Sequence, residues 1–296
     1  MSLFNQIPQL SKDTLRAGKK VIDASFKDFS REYGDLIELI FEPVKWLLIK
    51  SENFLTDTSW IIILVLIASI AWLGSKSIKI VIGSVLTLLL IGYLGMWENT
   101  MKTISMTFVA AILAISIGIP IGILMARSNI ALRIASPILD VMQTMPSFVY
   151  LIPVVMLLGI GKVPGLLAVI IYAIPPIIRL TNLGIRLVNN NVMEAGHAYG
   201  ASYAQRLTKI QIPLALPTIM AGINQTIMLA LSMVVIASMI GVQGLGQPVL
   251  QAIQNQFFTL GMMNGFAIVG IAIIFDRVTQ AYGKRMQKYQ ETVDEQ

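Results

Sequence analysis

Residues 102–126 read KTISMTFVAAILAISIGIPIGILMA, a stretch in which Lys102 carries the only charge. A helix of about 20 predominantly apolar residues crosses the hydrocarbon core of a bilayer. The whole chain shares this character, because 55% of its 296 residues are hydrophobic and 13% are charged, whereas a soluble domain carries about 25% charged residues. The sequence therefore predicts an all-α integral membrane protein.

Apolar windows of this kind predict about seven transmembrane helices. They cover residues 58–74, 78–96, 102–126, 140–160, 164–183, 213–240 and 262–282. Residues 240–261 are free of charge but rich in glycine and amide side chains. That composition is too polar for a span, so we expect a short helix or re-entrant element there, outside the cell.

The distribution of basic residues predicts the orientation. Fourteen Lys and Arg residues follow residue 58. If the loop between the fifth and sixth windows is cytoplasmic, all of them except Lys102 and Lys162 lie on the cytoplasmic side. This asymmetry follows the positive-inside rule. It places the N-terminus outside and the C-terminus in the cytoplasm.

Residues 1–57 form a separate amphipathic element. Their apolar side chains recur at helical spacing and are Leu15, Ile22, Phe26, Phe29, Tyr33, Ile37, Ile40, Val44 and Leu47. Ser11 is a plausible N-cap, and Pro43 should end or kink the helix. Two interpretations remain open: a helix lying on the membrane surface, and a scaffold that grips a neighbouring subunit.

The sequence offers little for catalysis or ion coupling. It contains no P-loop and no His-Glu-x-x-His motif, no cysteine, and His197 as its one histidine, which excludes a Cys- or His-based metal cluster. We expect the carboxylates Glu98, Asp140, Glu194 and Asp276 to lie at or beyond span ends. Ion-coupled transporters usually hold ionisable groups at mid-membrane, so this weakens, without excluding, a secondary transporter. No nucleophile–base pair supports a membrane enzyme.

The loop 184–213 between the fifth and sixth windows carries a spaced pattern. Glu194-Ala195-Gly196 is followed after three residues by Gly200, and after nine more by Ile210-Gln211-Ile212-Pro213. Glycine allows a turn or a close backbone approach, and proline favours the start of a helix. These residues alone predict an exposed helix–turn–helix between two spans.

The pattern resembles the Glu-Ala-Ala, Gly and Ile-x-Leu-Pro signature of ABC importer permeases. Glu194, Ala195, Gly200, Ile210 and Pro213 match it at the family spacing, while Gly196 replaces the second Ala and Ile212 replaces Leu. The resemblance implies that this loop is the coupling helix, which docks in a groove of the ATPase subunit.

A narrower resemblance covers roughly residues 100–285. Segments 140–153, 159–165, 175–181, 224–240 and 276–281 are similar to permeases of glycine betaine/proline betaine importers of the ProU/OpuA type. The similarity implies a type I (MetI-like) permease core at 97–283, two peripheral helices at 58–96 and a tail at 284–296, in the bacterial cytoplasmic membrane. It also implies uptake of osmoprotectants such as glycine betaine, proline betaine, carnitine or choline by alternating access.

The same resemblance implies the partners. These are two copies of an ATPase that hold ATP and Mg, an extracytoplasmic betaine-binding protein and a second permease copy, with no cofactor in this chain and no nucleic acid. The loop pattern does not separate a betaine importer from one for methionine or another small nutrient. Within window 213–240, the polar residues Asn224, Gln225, Thr226 and Ser232 either bond between helices or line the translocation path.

Overall fold

The computed structural model describes residues 10–294, except for the side chains of Asp35, Glu38 and residues 287–294. The described chain forms helices and no strand. Its α-helices are α1 Lys12–Asp57, α2 Trp60–Ser75, α3 Ile78–Tyr93, α4 Trp97–Arg127, α5 Asn129–Thr144, α6 Ser147–Leu158, α7 Lys162–Arg186, α8 Asn190–Ala198, α9 Tyr203–Arg206, α10 Ile212–Ala237, α11 Gly246–Asn255 and α12 Phe258–Asp294.

Two parallel helices, α4 and α7, form the centre of the bundle. Gly118 packs against Ile177, and Gly122 packs against Thr181. Both pairs are separated by 59 positions in the sequence, so the two helices run in the same direction. A Cβ atom on Gly122 would lie 2.6 Å from Thr181 Cβ. Small residues allow such close helix approach in membranes.

Helices α10 and α12 extend the centre in antiparallel fashion. Gly184 of α7 lies against Ala215, and Gly222 of α10 lies against Leu180, so α10 runs opposite to α7. Asn224 of α10 bonds to Asp276 of α12, which runs back alongside it. The predicted peripheral helices α2 and α3 lie outside this group and contact α12 through Gly74–Val278 and Gly270–Thr87.

The return from α4 to α7 is made by a broken span. The axes of α5 and α6 differ by 101°, so the prediction of one continuous helix over 140–160 is wrong. Met145 is extended (ψ 132°) and precedes Pro146, whose ring disfavours a helical conformation of the residue before it. The two half-helices together provide the crossing that two parallel neighbours require.

Only some of the predicted spans correspond to a single long helix. Within the described residues, α4, α7, the stretch Tyr203–Ile240 and the stretch Phe258–Met286 are each long and apolar enough to cross a membrane. Two bent pairs bring the number to six: α5 with α6, and Leu39–Asp57 with α2 at 113°. The 16 residues of α3 rise about 24 Å, which is short for a single crossing.

Helix α1 lies across one end of the bundle. Ser11 caps it as predicted, accepting a hydrogen bond from Thr14 N at 3.2 Å, and Pro43 lies inside the helix without ending it. Ser30 Oγ donates to Leu157 O at 3.2 Å, and Lys162 Nζ donates to Glu52 at 2.8 Å. These partners end α6 and begin α7.

The apolar face predicted for α1 is divided in the structure. Val44 packs against the core, whereas Ile22 and Ile40 remain 70% and 61% exposed. For the exposed apolar part of α1, contact with the membrane surface and contact with a neighbouring subunit both remain open. Residues 1–9 lie outside the described chain.

The opposite end of the bundle collects the basic residues, and we call it the basic end. Arg186 Nη2 donates to Met125 O at 2.8 Å, which joins the C-terminal ends of α7 and α4. The contacts of Gly74 with Val278 and of Gly283 with Met220 bring the ends of α2 and α12 to the same level. The packing thus groups most of the basic residues predicted to be cytoplasmic. Arg179 and Arg277 lie further from this end along α7 and α12, and the side chain of Lys288 lies outside the described set.

Substituting Gly122 with alanine should destabilise the bundle. The new methyl group meets Thr181 Cβ and Ile178 O at 2.6 and 2.8 Å, and overpacking of this kind costs about 1–3 kcal/mol. Thermal unfolding in detergent would measure the loss. Gly83→Ala is the matched control, because nothing lies within 4 Å of its added Cβ. Equal unfolding temperatures for both variants would contradict the packing described for α4 and α7.

Candidate functional site: a loop at the basic end and a polar face within the spans

The loop 187–211 projects from the basic end as a short helix closed by glycine. Asn189 begins α8, and its side chain accepts a hydrogen bond from Asn191 N at 2.9 Å. At the other end Gly200 has φ +75°, Gly200 N donates to His197 O at 2.9 Å, and Ala201 N donates to Gly196 O at 3.0 Å. This pair of bonds is a Schellman motif, which explains why glycine occupies position 200.

Gly196 and Ile210, two residues of the spaced pattern, contact each other. A Cβ on Gly196 would lie 2.5 Å from Ile210 Cδ1. The side chain of Ile210, from the other arm of the loop, therefore occupies the volume that a methyl group at position 196 would need. The replacement of alanine by Gly196 is accommodated by this contact.

The return of the loop into the bundle passes through a π-helical turn. Ser202 and Gln205 form a capping box at α9, and residues Leu207–Gln211 form the π turn. Ile212 N donates to Leu207 O, five residues earlier. Pro213 then lies in the first turn of α10, where its missing N–H leaves no gap in the helix. Single π turns often occur at functional sites.

Three side chains fix the loop to the bundle. Leu207 is buried in a cluster with Ile177, Ile185, Ala215 and Ile219, and Ile212 packs on the same cluster. Arg127 Nε at the end of α4 donates to Tyr203 OH at 2.9 Å. The loop is therefore braced against α4, α7 and α10 together.

The outer surface of α8 has no partner in the described chain. None of its residues is buried, Tyr199 is 93% exposed and Val192 is 41% exposed. Glu194 and Ala195 are exposed beside them. A braced helix with a bare mixed surface is suited to contact another protein.

The residues predicted for the translocation path do not share one environment. Gln225 and Ser232 are exposed on one face of α10, two turns apart, and Ser232 Oγ bonds within its own helix to Met228 O at 3.0 Å. Thr226 is fully buried. Its hydroxyl has no hydrogen-bond partner among the described residues.

Asn224 belongs to a network between α10 and α12. Its Nδ2 donates to Asp276 Oδ1 at 2.9 Å, its Oδ1 accepts from Thr279 Oγ1, and Gln280 Nε2 also donates to Asp276 Oδ1 at 2.6 Å. The residues that follow Asp276 in α12 include Arg277, Lys284 and Arg285, so Asp276 begins the polar part of this helix. The expectation that this carboxylate lies near a span end stays a prediction.

An ion pair joins α5 to α7. Arg179 Nη2 of α7 donates to Asp140 Oδ1 of α5, although Arg179 was expected at the cytoplasmic surface. Asp140 precedes the break at Pro146 by less than two turns. The ring of Tyr172, on the same helix as Arg179, packs edge-on against Tyr150 with centroids 5.6 Å apart. Sequence windows missed this group because its members are 39 positions apart.

The segment predicted outside the spans is a short helix, α11, with its preceding loop. Leu245 N donates to Thr103 Oγ1 at 2.9 Å, and both groups are buried. Gly161 N donates to Ile240 O at 3.0 Å. The segment thus closes the end of the bundle opposite the basic end, beside α1.

Helices long and apolar enough to cross a membrane, with a braced and exposed loop helix at one end, are the arrangement expected of a membrane permease that works with a partner protein. The profile of the family described as "Binding-protein-dependent transport system inner membrane component" matches residues 118–288. The chain belongs to this family.

Individual relatives carry the comparison beyond the family region. The chain is 44% identical over 270 residues to the glycine betaine/carnitine transport permease protein GbuB of Listeria monocytogenes, covering 90% of this chain and 94% of that one. It is 49% identical over 242 residues to the glycine betaine/proline betaine transport system permease protein ProW of Escherichia coli, covering 82% and 68%. Its identity to the glycine betaine transport system permease protein OpuAB of Bacillus subtilis is 47% over 220 residues, covering 74% and 78%.

Solved structures show the same fold. One is a structure of the MetNI methionine ABC transporter in an inward facing conformation. The match covers 62% of this chain and 93% of the transporter chain, with a TM-score of 0.57 and 21% sequence identity. The all-helical, MetI-like core predicted from the sequence is confirmed.

The two loop glycines should respond differently to substitution. Gly196→Ala should be tolerated, because the atom it meets is the mobile end of Ile210. Gly200→Val should destabilise the loop by roughly 1–2 kcal/mol, because φ +75° is strained for a residue with a Cβ. Limited proteolysis of the loop would compare them. Equal cleavage rates for both variants would contradict the Schellman motif.

Alanine substitutions at Asn224 and Ser232 should differ in their effect on stability. Asn224→Ala removes a hydrogen bond to the Asp276 carboxylate and should lower stability by about 1.5–3 kcal/mol. Ser232→Ala removes only a bond within its own helix and should leave thermal unfolding unchanged. If Asn224→Ala unfolds like the parent chain, the network does not stabilise the α10–α12 contact. If it also transports normally, Asn224 has no place in the translocation path.

Proposed function

We propose that this chain is the permease subunit of an ATP-driven importer of glycine betaine and related quaternary amines. The observation that carries the substrate class is the 44% identity to a glycine betaine/carnitine permease across nearly the whole of both chains. The braced loop at the basic end supports the dependence on a partner. In this proposal the chain binds no cofactor and catalyses no reaction.

The proposed arrangement assigns one partner to each end. The basic end faces the cytoplasm, as the positive-inside rule favours, and an ATPase subunit docks on α8 around Glu194 and Tyr199. ATP and Mg are held by that ATPase. A loaded binding protein docks at the end closed by α1 and α11. Two copies of the chain pair around the path, since each carries one docking loop.

The contacts of the loop explain how a push on α8 would reach the spans. Gly196 and Ile210 hold the two arms of the loop together, and Leu207 is packed among residues of α7 and α10. Tyr203 connects the loop to α4 through Arg127. A displacement of the loop therefore acts on three spans at once. Different ATPase contacts in two states would supply the energy that shifts the bundle between them.

The rival substrates and mechanisms are distinguished by specific observations. A methionine importer shares the fold, but that likeness is at 21% identity, below the identities to betaine permeases. A secondary transporter would work without an ATPase. The carboxylates Asp140 and Asp276, which bond between helices of the bundle, keep that alternative testable.

Uptake measurements would test the proposal directly. Cells that lack their own betaine transporters would express this chain with its partner ATPase and binding protein and receive labelled glycine betaine. The parent complex should accumulate it in an ATPase-dependent way. Glu194→Arg should abolish uptake without unfolding the chain, because Glu194 is exposed. Lys79→Gln, a change of charge at an exposed residue of the same end but on the peripheral helix α3, should keep uptake.

Each contrary result has a definite meaning. Uptake without the ATPase would establish a secondary transporter instead. Absence of uptake for every betaine, together with ATPase stimulation by another solute, would retain the importer and refute the substrate. Normal uptake in Glu194→Arg would remove α8 as the docking surface.

A further inference from the structure

The ion pair between Asp140 and Arg179 lies on a face of the bundle that lipid tails do not suit. Its side chains are 65% and 37% exposed, respectively. Arg179 lies seven residues before the end of α7, and Asp140 lies on the first half of the broken span. Charged groups inside spans face a water-filled cavity, the bundle interior or another chain. This exposed pair therefore marks a face that opens to water or to a second copy.

The surface of α5 supports this assignment. Its exposed residues form two stripes: an apolar one with Ile130, Ile134 and Ile138, and a polar one with Arg133, Asp140 and Thr144. Residues four apart share a helix face, so Thr144 lies directly beside Asp140. One helix thus separates an apolar flank from a polar flank, as expected at the edge of an aqueous path.

Two aromatic rings pack together where α6 meets α7, two helical turns from Arg179. Tyr172 precedes Arg179 by seven residues and so lies on the same face of α7. Its ring contacts Tyr150, whose hydroxyl donates to Met142 O across the break. Phe148, in the first turn of α6, is 53% exposed. Discontinuous helices of this kind form substrate sites near mid-membrane in other transporters.

We infer that Asp140 and Arg179 form a substrate-contacting site on the translocation path, with the quaternary ammonium taken by Asp140 and the carboxylate taken by Arg179. This inference rests on the proposed function. A quaternary ammonium donates no hydrogen bond and is attracted by carboxylates and aromatic faces, while guanidinium groups bind carboxylates through paired donors. A zwitterion presents both charges to this pair and can replace each partner by its own group.

The Arg179 guanidinium has further N–H donors besides the one bonded to Asp140, as such an exchange requires. Asp140 accepts from Nη2, and Nε of Arg179 is buried without a hydrogen-bond partner in the described chain, so the terminal Nη groups are the donors that a ligand would meet. The pair is therefore incompletely satisfied in the absence of a further acceptor.

Cysteine labelling of the assembled transporter would test the site, since the chain contains no cysteine. Thr144→Cys on the polar stripe and Ile138→Cys on the apolar stripe would be exposed to a methanethiosulfonate reagent bearing a trimethylammonium group. Thr144→Cys should react about tenfold faster or more, and adding Asp140→Asn should slow that reaction by about tenfold through loss of the attracting charge. With an uncharged methanethiosulfonate reagent, adding Asp140→Asn should leave the labelling rate of Thr144→Cys unchanged. Saturating glycine betaine during turnover should protect Thr144→Cys.

Transport by Arg179→Gln provides the second measurement. Glycine betaine moved per ATP should fall about tenfold or more, while ATP hydrolysis stimulated by the loaded binding protein persists. An unreactive Thr144→Cys, or a reactive one that betaine does not protect, would overturn the inference. So would unchanged transport per ATP in Arg179→Gln. If the parent complex takes up no betaine, the proposed function fails separately, and the dependence of labelling on Asp140 still reports whether the face is aqueous.

Discussion

The close parallel contact of α4 and α7 governs the rest of the fold. Gly118 and Gly122 allow the two helices to meet almost backbone to backbone. Two parallel spans that follow one another must be joined by a third crossing, which the chain achieves with the half-helices α5 and α6. The same contact delivers the end of α7 to the basic end, where the loop 187–211 begins.

The sequence predicted what depends on local patterns. Long apolar runs identified α4, α7, α10 and α12, and Ser11, Gly200 and Pro213 occupy the capping and turn positions that their chemistry favours. The break at Pro146 was missed because an apolar window counts composition and does not detect a change of axis. The partners of charged and amide groups could not be predicted, since they join residues 39, 52 and 76 positions apart.

The loop illustrates how a departure from a family pattern can be explained only in three dimensions. Gly196 occupies an alanine position of the pattern, and its own sequence neighbours give no reason for this. The side chain of Ile210 fills the vacant volume from the other arm. The two positions therefore constrain each other, and the pattern is better understood as a packed unit than as a string of separate residues.

Helix α1 contacts both sides of the short joint between α6 and α7. Between α6 and α7 lie Gly159 and Gly161, both with positive φ. Ser30 holds the carbonyl of Leu157 before the joint, and Glu52 holds Lys162 after it. Helix α1 thereby links the two helices. A change in the angle between α6 and α7 would bend α1 or break one of these hydrogen bonds. The N-terminal segment thus ties α6 to α7 at the end of the bundle opposite the basic end.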